Sequence, residues 1–431
     1  MASIGLKTKD ETRHTFQGQD LSIQLNHQGS RDYTKVSFPI KYGLFSRLET
    51  REYIFEFNLN HEIRHAKSKK RTWLDPSEWL KRTMGNDWVY YSTGGYSGVY
   101  EALGEYYLPN LMYPTNSLLG GTPFKKNDIN TIVNNWHHII SQVSDTDMPD
   151  PFSQWVSAIQ QQTPEGLQTK ARSLFDISGS RVTVMPPDAR HVDYNIIPLN
   201  ISDGCLYKCR FCKVKNKKKF AVRSRQDIHG QINRLKQLYG KDMINFNALF
   251  LGEHDALNSP CDVILQAVQD AYEAFGFHAS YMRNHYLFMF GCVDSLLNAD
   301  PILFEMLKHL PFQTFINIGL ESYDQATLDL LGKPITTRKV GQAFEKIQFI
   351  NDTVPNLEIT CNFVMDETLP ASHTAALMTL IRDKVHRTKP KGAVYLSPLT
   401  FGTPSRQVLY DFYKLKSLSR FPTFLYLIQR L

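Results

Sequence analysis

The stretch that decides the fold reads Ile196-Ile-Pro-Leu-Asn-Ile-Ser-Asp-Gly-Cys205-Leu-Tyr-Lys-Cys209-Arg-Phe-Cys212. Its apolar lead, Ile196 to Ile201, has the length and composition of a buried strand. That lead runs into a segment with three cysteines in eight residues, separated by three residues and then by two. A lysine-rich run, Lys213 to Lys219, follows. A strand that ends in three close thiols can set three thiolates around one inorganic centre.

Downstream of this run, apolar and amphipathic segments alternate. Strands are predicted over 196–201, 247–252, 286–291, 314–320, 357–364 and 393–398. Helices are predicted over 226–240, 260–275, 300–309, 324–331, 337–351 and 371–387. This spacing spells βαβ units and a parallel sheet. The expected fold class is α/β: a partial (β/α)6 TIM-like barrel over 196–400. A tail, 401–431, is expected to pack back on it. Upstream, a linker is expected over 181–195, where Pro186-Pro187 breaks any helix.

Residues 1–180 read as a separate α+β domain. All five tryptophans (73, 79, 88, 136 and 155) lie before residue 156. Tyr53-Ile-Phe-Glu-Phe-Asn58 alternates as a strand does. Asp75-Pro-Ser-Glu78 looks like a helix start that runs into Trp79-Leu80. Helical stretches are predicted near 126–145 and 150–174. The aromatic residues are first of all core filling; the second reading is a substrate-recognition module that stacks on planar groups.

Bulk composition narrows the class. The chain has 431 residues, 42% of them hydrophobic, enough for one large core or two smaller ones. The surplus of 49 Lys+Arg over 42 Asp+Glu gives a charge of +7, which permits an anionic partner without requiring one. No secretory leader opens it, and no run reaches the ~18–20 apolar residues that span a bilayer. Six cysteines in so long a chain make no disulfide framework. A cytoplasmic, reducing compartment is the expectation, with no membrane partner.

Thiolates are the usual protein ligands of iron–sulfur clusters. Cys205, Cys209 and Cys212 would hold three irons of a four-iron cube and leave the fourth open. A zinc site would want a fourth Cys or His close by. The nearest histidines, His229 and His191, do not sit at zinc-finger spacing. Cys261, Cys292 and Cys361 lie far apart and read as free buried cysteines, with Cys361 also a candidate substrate-side residue.

Cys-x3-Cys-x2-Cys after a first strand, with Phe211 before the last cysteine, resembles the radical S-adenosylmethionine (SAM) superfamily. Leu249-Phe-Leu-Gly-Glu-His-Asp-Ala-Leu257 resembles its Gly-Gly-Glu segment, with Leu251 in place of the first glycine. Phe315-Ile-Asn-Ile-Gly-Leu-Glu-Ser322 resembles the Ile-Gly-x-Glu-Ser segment of the branch that includes coproporphyrinogen dehydrogenases and methylthiotransferases. The likeness covers about half the chain, residues 195–400.

The resemblance implies a 4Fe–4S cluster on Cys205, Cys209 and Cys212, with SAM as the second cofactor. It implies Phe211, Gly252, Glu253, Asn317, Glu321 and Ser397 as SAM-side residues. Reductive cleavage of SAM would give a 5′-deoxyadenosyl radical that abstracts hydrogen from an unidentified substrate. A small biosynthetic intermediate is preferred over RNA or tRNA. A flavodoxin or ferredoxin would supply the electron. Glu253 also reads as an ordinary loop acid, and Glu321 as an acid at a helix start. The basic run Lys208, Arg210, Lys213, Lys215, Lys217, Lys218, Lys219, Arg223 and Arg225 reads first as a solvated face that also draws an acidic electron donor; the second reading is a funnel for a phosphate- or carboxylate-bearing substrate or for RNA.

Some family features are missing. Val214 stands where coproporphyrinogen dehydrogenases carry a fourth cysteine, and no Asp-x-His-x-x-Gly occurs in the first 180 residues. The rival from another class is a non-catalytic, zinc-binding, nucleic-acid-associated protein.

Overall fold

Two seven-stranded sheets divide the chain in the computed structural model, which describes residues 14–32, 42–73, 79–91, 127–180, 196–212, 218–399 and 406–425. The first sheet is an antiparallel meander. Its strands are β1 (His14–Gln17), β2 (Leu21–Gln28), β3 (Leu44–Thr50), β4 (Tyr53–Phe57), β5 (Ile63–Ser68), β6 (Trp79–Arg82) and β7 (Trp88–Tyr91). Helices α1 (Asn127–Ser141), α2 (Phe152–Gln160) and α3 (Pro164–Ser178) follow. Ile129, Ile132, Trp136 and Ile140 form one stripe of α1 and pack with Phe55, Phe57 and Trp155 into a single core. The aromatic residues of this cluster are therefore core filling, and those of 92–126 lie outside the described residues.

The helix expected over 150–174 is two helices. The Thr163 hydroxyl accepts the Gly166 N–H and Pro164 takes the first helical position, so a new helix starts there. The helix start at Asp75 lies outside the described residues, and its expected continuation is wrong. Trp79–Arg82 is strand β6, fully buried and paired with β5 and β7. Cross-strand packing overrides the local start signal there.

The second sheet is parallel throughout. β8 (Ile196–Leu199) opens it, and the short ribbon β9 (Ser202–Asp203) with β10 (Ala221–Val222) stands beside its end. β11 (Ala248–Leu251), β12 (Tyr286–Gly291), β13 (Gln313–Glu321), β14 (Leu357–Met365), β15 (Val394–Pro398) and β16 (Thr423–Leu425) follow in spatial order. Eight helices lie between them: α4 (Arg225–Tyr239), α5 (Cys261–Phe275), α6 (Val293–Asn298), α7 (Pro301–Lys308), α8 (Gln325–Leu331), α9 (Thr337–Thr353), α10 (Ala371–Met378) and α11 (Arg406–Leu418). The result is a partial TIM-like barrel. The tail does more than pack on it: β16 adds a seventh strand beside β15.

Alternation along the strands separates two faces. Leu249, Leu251, Ile316, Ile318, Ile359 and Cys361 pack outward with the helices. Ile196, Ala248, Phe250, Phe288 and Phe315 pack inward, where Tyr42 and Trp79 of the first sheet meet them. Most of these inward residues sit at or near strand starts, and the first sheet docks at that end. Leu44 N–H donates to Asn245 Oδ1 at 2.7 Å. Asn60 Nδ2 donates to the Tyr239 carbonyl at 2.7 Å, and Arg31 Nε to the Tyr281 carbonyl at 2.8 Å. All three partners precede β11 or β12. The opposite, C-terminal ends of the strands are where parallel α/β sheets carry their sites. No helix among the described residues is long and apolar enough to cross a membrane.

Candidate functional site

The cysteine segment leaves β8 at the C-terminal end of the sheet. Gly204 lets it through: its φ is +73°, and a Cβ there would lie 2.5 Å from the Lys219 carbonyl oxygen. Behind it, Arg223 grips Asp203 with Nε and Nη2 at 3.0 and 2.9 Å and donates to the Ser178 carbonyl at 2.8 Å. Ahead of it, Arg210 N–H donates to Leu331 O at 2.9 Å and Arg210 Nη2 to Asp329 O at 2.6 Å. The Tyr207 hydroxyl donates to Asp294 Oδ2 at 2.7 Å. Cys209 is buried, Cys205 and Cys212 are half-buried, and none of the three is in a disulfide. Tyr207 N–H points at Cys205 Sγ, 3.5 Å away. Phe211 is half-buried on the same segment.

Two acidic corners share this end of the sheet. Gly252 turns the chain out of β11, its N–H donating to Leu199 O at 3.0 Å. Leu251, the departure from the Gly-Gly-Glu pattern, points into the helix-facing core and leaves the concave side unobstructed. Glu253 and His254 are half-buried, with Oε2 and Nδ1 3.7 Å apart. Asp255 is buried. Its Oδ1 accepts the Cys292 N–H at 3.0 Å, while its Oδ2 has no hydrogen-bond partner among the described residues.

Glu321 closes β13 at a bulge and holds φ +66°, a conformation that L side chains avoid. Its carboxylate folds back over Gly319, where a Cβ would lie 2.4 Å from Oε1. There it accepts from Lys333 Nζ at 3.2 Å. Lys333 is buried, its side chain only 4% exposed, and its ammonium lies 5.4 Å from the centre of the Tyr207 ring. Below, Asn317 Nδ2 donates to Thr360 Oγ1 at 2.9 Å and Asn362 Nδ2 to Asn317 Oδ1 at 2.7 Å. Ser397 is half-buried near the end of β15.

Burial pushes the Cys205 thiol up to about 11 and raises Cys209 as well. Burial also raises Asp255. It would lower Lys333, but Glu321 and the Cys209 thiol outweigh it and hold the ammonium charged. Cys205 and Cys209 are therefore neutral in the metal-free loop, and an incoming metal must displace their protons.

This donor set fits an iron–sulfur cluster: three soft ligands on one anchored loop, with a buried cation beside them to offset negative charge. Among the described residues no three His, Cys, Asp or Glu side chains close on one point as a single ion requires. A four-iron cube instead places each thiolate on its own iron. His229 pairs with Asp270 of α5 at 3.2 Å, and His191 lies outside the described residues.

Three expectations need adjusting. Cys361 packs on the helix-facing side of β14, so it is not a substrate-side residue. Arg223 belongs to a structural ion pair, whereas Lys208, Arg210, Lys218, Lys219 and Arg225 are exposed; Lys213, Lys215 and Lys217 fall outside the described residues. From sequence, His254 and Asp255 read as loop-capping residues that could also face substrate, and Asp255 does accept the Cys292 N–H; Lys333 and Asn362 were not singled out. Lys333 follows a helix-ending glycine, the usual setting of a surface lysine, and nothing local marks it as buried.

Residues 199–350 match the family model described as the Radical SAM superfamily. No curated protein matches the chain. Among solved structures, it is similar to the cobalamin-dependent S-adenosylmethionine radical enzyme OxsB, at 15% identity over 53% of this chain and 30% of that one, with a TM-score of 0.32. A radical SAM methyltransferase from Sphaerobacter thermophilus is similar at 14% identity over 54% of this chain and 66% of that one, with a TM-score of 0.34. Methylornithine synthase PylB is similar at 13% identity over 67% and 84% of the two chains, with a TM-score of 0.31. The chain thus spans less than a third of OxsB, and TM-scores this low carry no argument about its chemistry.

Proposed function

We propose that this chain, whose residues 199–350 match the Radical SAM superfamily model, is an enzyme of that superfamily working with a 4Fe–4S cluster and SAM, and that Cys205, Cys209 and Cys212 ligate three irons of the cluster. When bound, the cofactors supply one-electron cleavage of the SAM sulfonium to a 5′-deoxyadenosyl radical, which takes hydrogen from the substrate. The observation that carries the assignment is spatial. Three cysteines outside any disulfide stand on the loop after β8, at the strand end where β11 delivers Gly252-Glu253 and β13 delivers Glu321.

Each residue then has a task. Glu253 and the backbone at Gly252 receive the methionyl ammonium through charge-assisted contacts. Glu321, fixed over Gly319, faces the ribose or methionyl group. Asn317 and Ser397 line the concave wall beneath, and Phe211 packs beside the cofactor. The aromatic layer of Tyr42, Trp79, Phe288 and Phe315 fills the far end of the interior. That leaves the substrate to enter at the C-terminal ends of the strands, as a small molecule suits.

We place the catalytic core within 196–400, in a reducing cytoplasmic setting. We assign the sheet before residue 180 to scaffolding, because its described contacts lie at the other end of the strands. Exposed Lys208 and Arg210 beside exposed Leu206 suit an acidic donor of the flavodoxin or ferredoxin type.

The test is product analysis. Protein reconstituted anaerobically with iron and sulfide, then given dithionite and SAM, is expected to release 5′-deoxyadenosine. A brown, iron-loaded protein that leaves SAM intact would defeat the proposal.

A further inference from the structure

A buried cation stands beside the thiol loop with no part in the scheme above. Lys333 Nζ lies 3.2 Å from Glu321 Oε1 and 5.4 Å from the centre of the Tyr207 ring. Tyr207 sits midway between Cys205 and Cys209. The turn that carries Lys333 is fastened to the same loop, since Arg210 N–H bonds to Leu331 O and Arg210 Nη2 to Asp329 O. The ammonium is therefore held at the loop from two sides, by a ring face and by a carboxylate.

A buried Lys–Glu pair is a poor way to gain stability, because desolvation offsets the attraction and apolar replacements often do as well. This one also keeps Glu321 in a strained conformation. Its placement is better explained by a third charge. A cluster on three thiolates is anionic, and reduction adds one more negative charge. A fixed cation in a low-dielectric site favours the reduced form, because net charge around a cluster sets its potential.

We propose that Lys333 is a positioning residue whose ammonium raises the reduction potential of the cluster on Cys205, Cys209 and Cys212, while fixing the Glu321 carboxylate over Gly319. The proposal rests on the cluster assignment above. Lys333 contributes a charge and Glu321 opposes it, so the two residues shift the potential in opposite directions.

The experiment is an EPR-monitored redox titration of the full-length, reconstituted protein without SAM, with iron and sulfide measured on each sample. Lys333→Met is expected to move the midpoint to more negative potential, and Lys333→Arg to stay near wild type. Glu321→Gln is expected to move it to more positive potential, and the double variant to return toward wild type. Equal midpoints for wild type and Lys333→Met at equal iron content would overturn the proposal. If Lys333→Met does not load, Glu321→Gln decides: an unmoved midpoint overturns the electrostatic role, and a positive shift supports it. Wild-type protein that takes up no cluster would overturn the cluster assignment itself, a result distinct from an unmoved midpoint.

Discussion

The two ends of the parallel strands both bury charge, but they arrange it differently. At the N-terminal ends, the charged groups of the antiparallel sheet close on one another. Arg47 pairs with Glu56, and His65 Nδ1 lies 3.2 Å from the same carboxylate. Lys81 Nζ donates to the Tyr42 hydroxyl at 2.8 Å, and the Arg64 guanidinium stacks 4.2 Å from the Tyr42 ring centre. At the C-terminal ends, Lys333 and Glu321 border three thiols, and Asp255 keeps one oxygen without a hydrogen-bond partner among the described residues. Here a residue is also strained. The first end is a clamp of ion pairs and ring contacts among its own residues, although Arg47 Nε, Arg64 Nη2 and both His65 ring nitrogens make no hydrogen bond among the described residues. The second gathers carboxylates, a buried ammonium and three thiols at the strand ends where parallel sheets carry their sites.

Breaking the second end should remove chemistry and spare the fold. Cys209→Ala is expected to abolish the cluster chromophore and 5′-deoxyadenosine release, while metal-free stability falls by no more than about 1 kcal/mol. Chemical denaturation beside iron analysis checks both halves. Gly204→Ala should also lose iron, because its new Cβ would collide with the Lys219 carbonyl and open the ribbon that carries Cys205. Retained iron in that variant would show that the loop tolerates another path.

Breaking the clamp should do the reverse. Glu56→Leu takes the buried carboxylate from Arg47 and leaves it only Glu49, 3.5 Å from Nη1, so unfolding free energy is expected to drop by about 3 kcal/mol. Iron bound per folded molecule should not change. The pH dependence sharpens the same point. Burial holds His65 down at about 4, against the pull of Glu56, so the folded protein keeps it neutral. The unfolded chain takes up that proton near the ordinary value of 6.5. Stability is therefore lost as pH falls from 6.5 toward 4, by about 2–3 kcal/mol at the low end. Asp242 works oppositely, since burial raises it to about 6 despite Arg64 and the folded state binds its proton first. Comparing wild type with His65→Gln isolates the histidine slope; parallel stability curves would refute it.

The smallest effect concerns the anchor between the ends. Arg223→Lys keeps the charge on Asp203 but loses the two-pronged grip, costing about 1 kcal/mol. A chelator challenge should then strip iron faster than from wild type.

Much of the barrel was legible because its strands are continuous apolar runs and its helices carry clear caps. Ser224 and Thr336 each cap a helix that was placed correctly to within a residue or two. The strand at Thr423–Leu425 was not legible: three residues in an aromatic tail carry no period of their own. Trp79–Arg82 misled because a local Asp-Pro-Ser-Glu signal precedes residues that cross-strand packing turns into a strand. At the site, the thiols announced themselves through spacing, and the two acids through the resemblance of their segments to a known family. Lys333 did not, because its burial is created by Tyr207 and Glu321, which are remote in sequence.

The central claim is that the C-terminal end holds a cluster with an open iron facing SAM, and EPR of the dithionite-reduced, reconstituted protein tests it most directly. The account predicts a 4Fe–4S signal that changes shape when SAM is added and is absent when Cys205, Cys209 and Cys212 are all alanine. A signal that SAM leaves untouched, or one that survives the loss of all three cysteines, would contradict it.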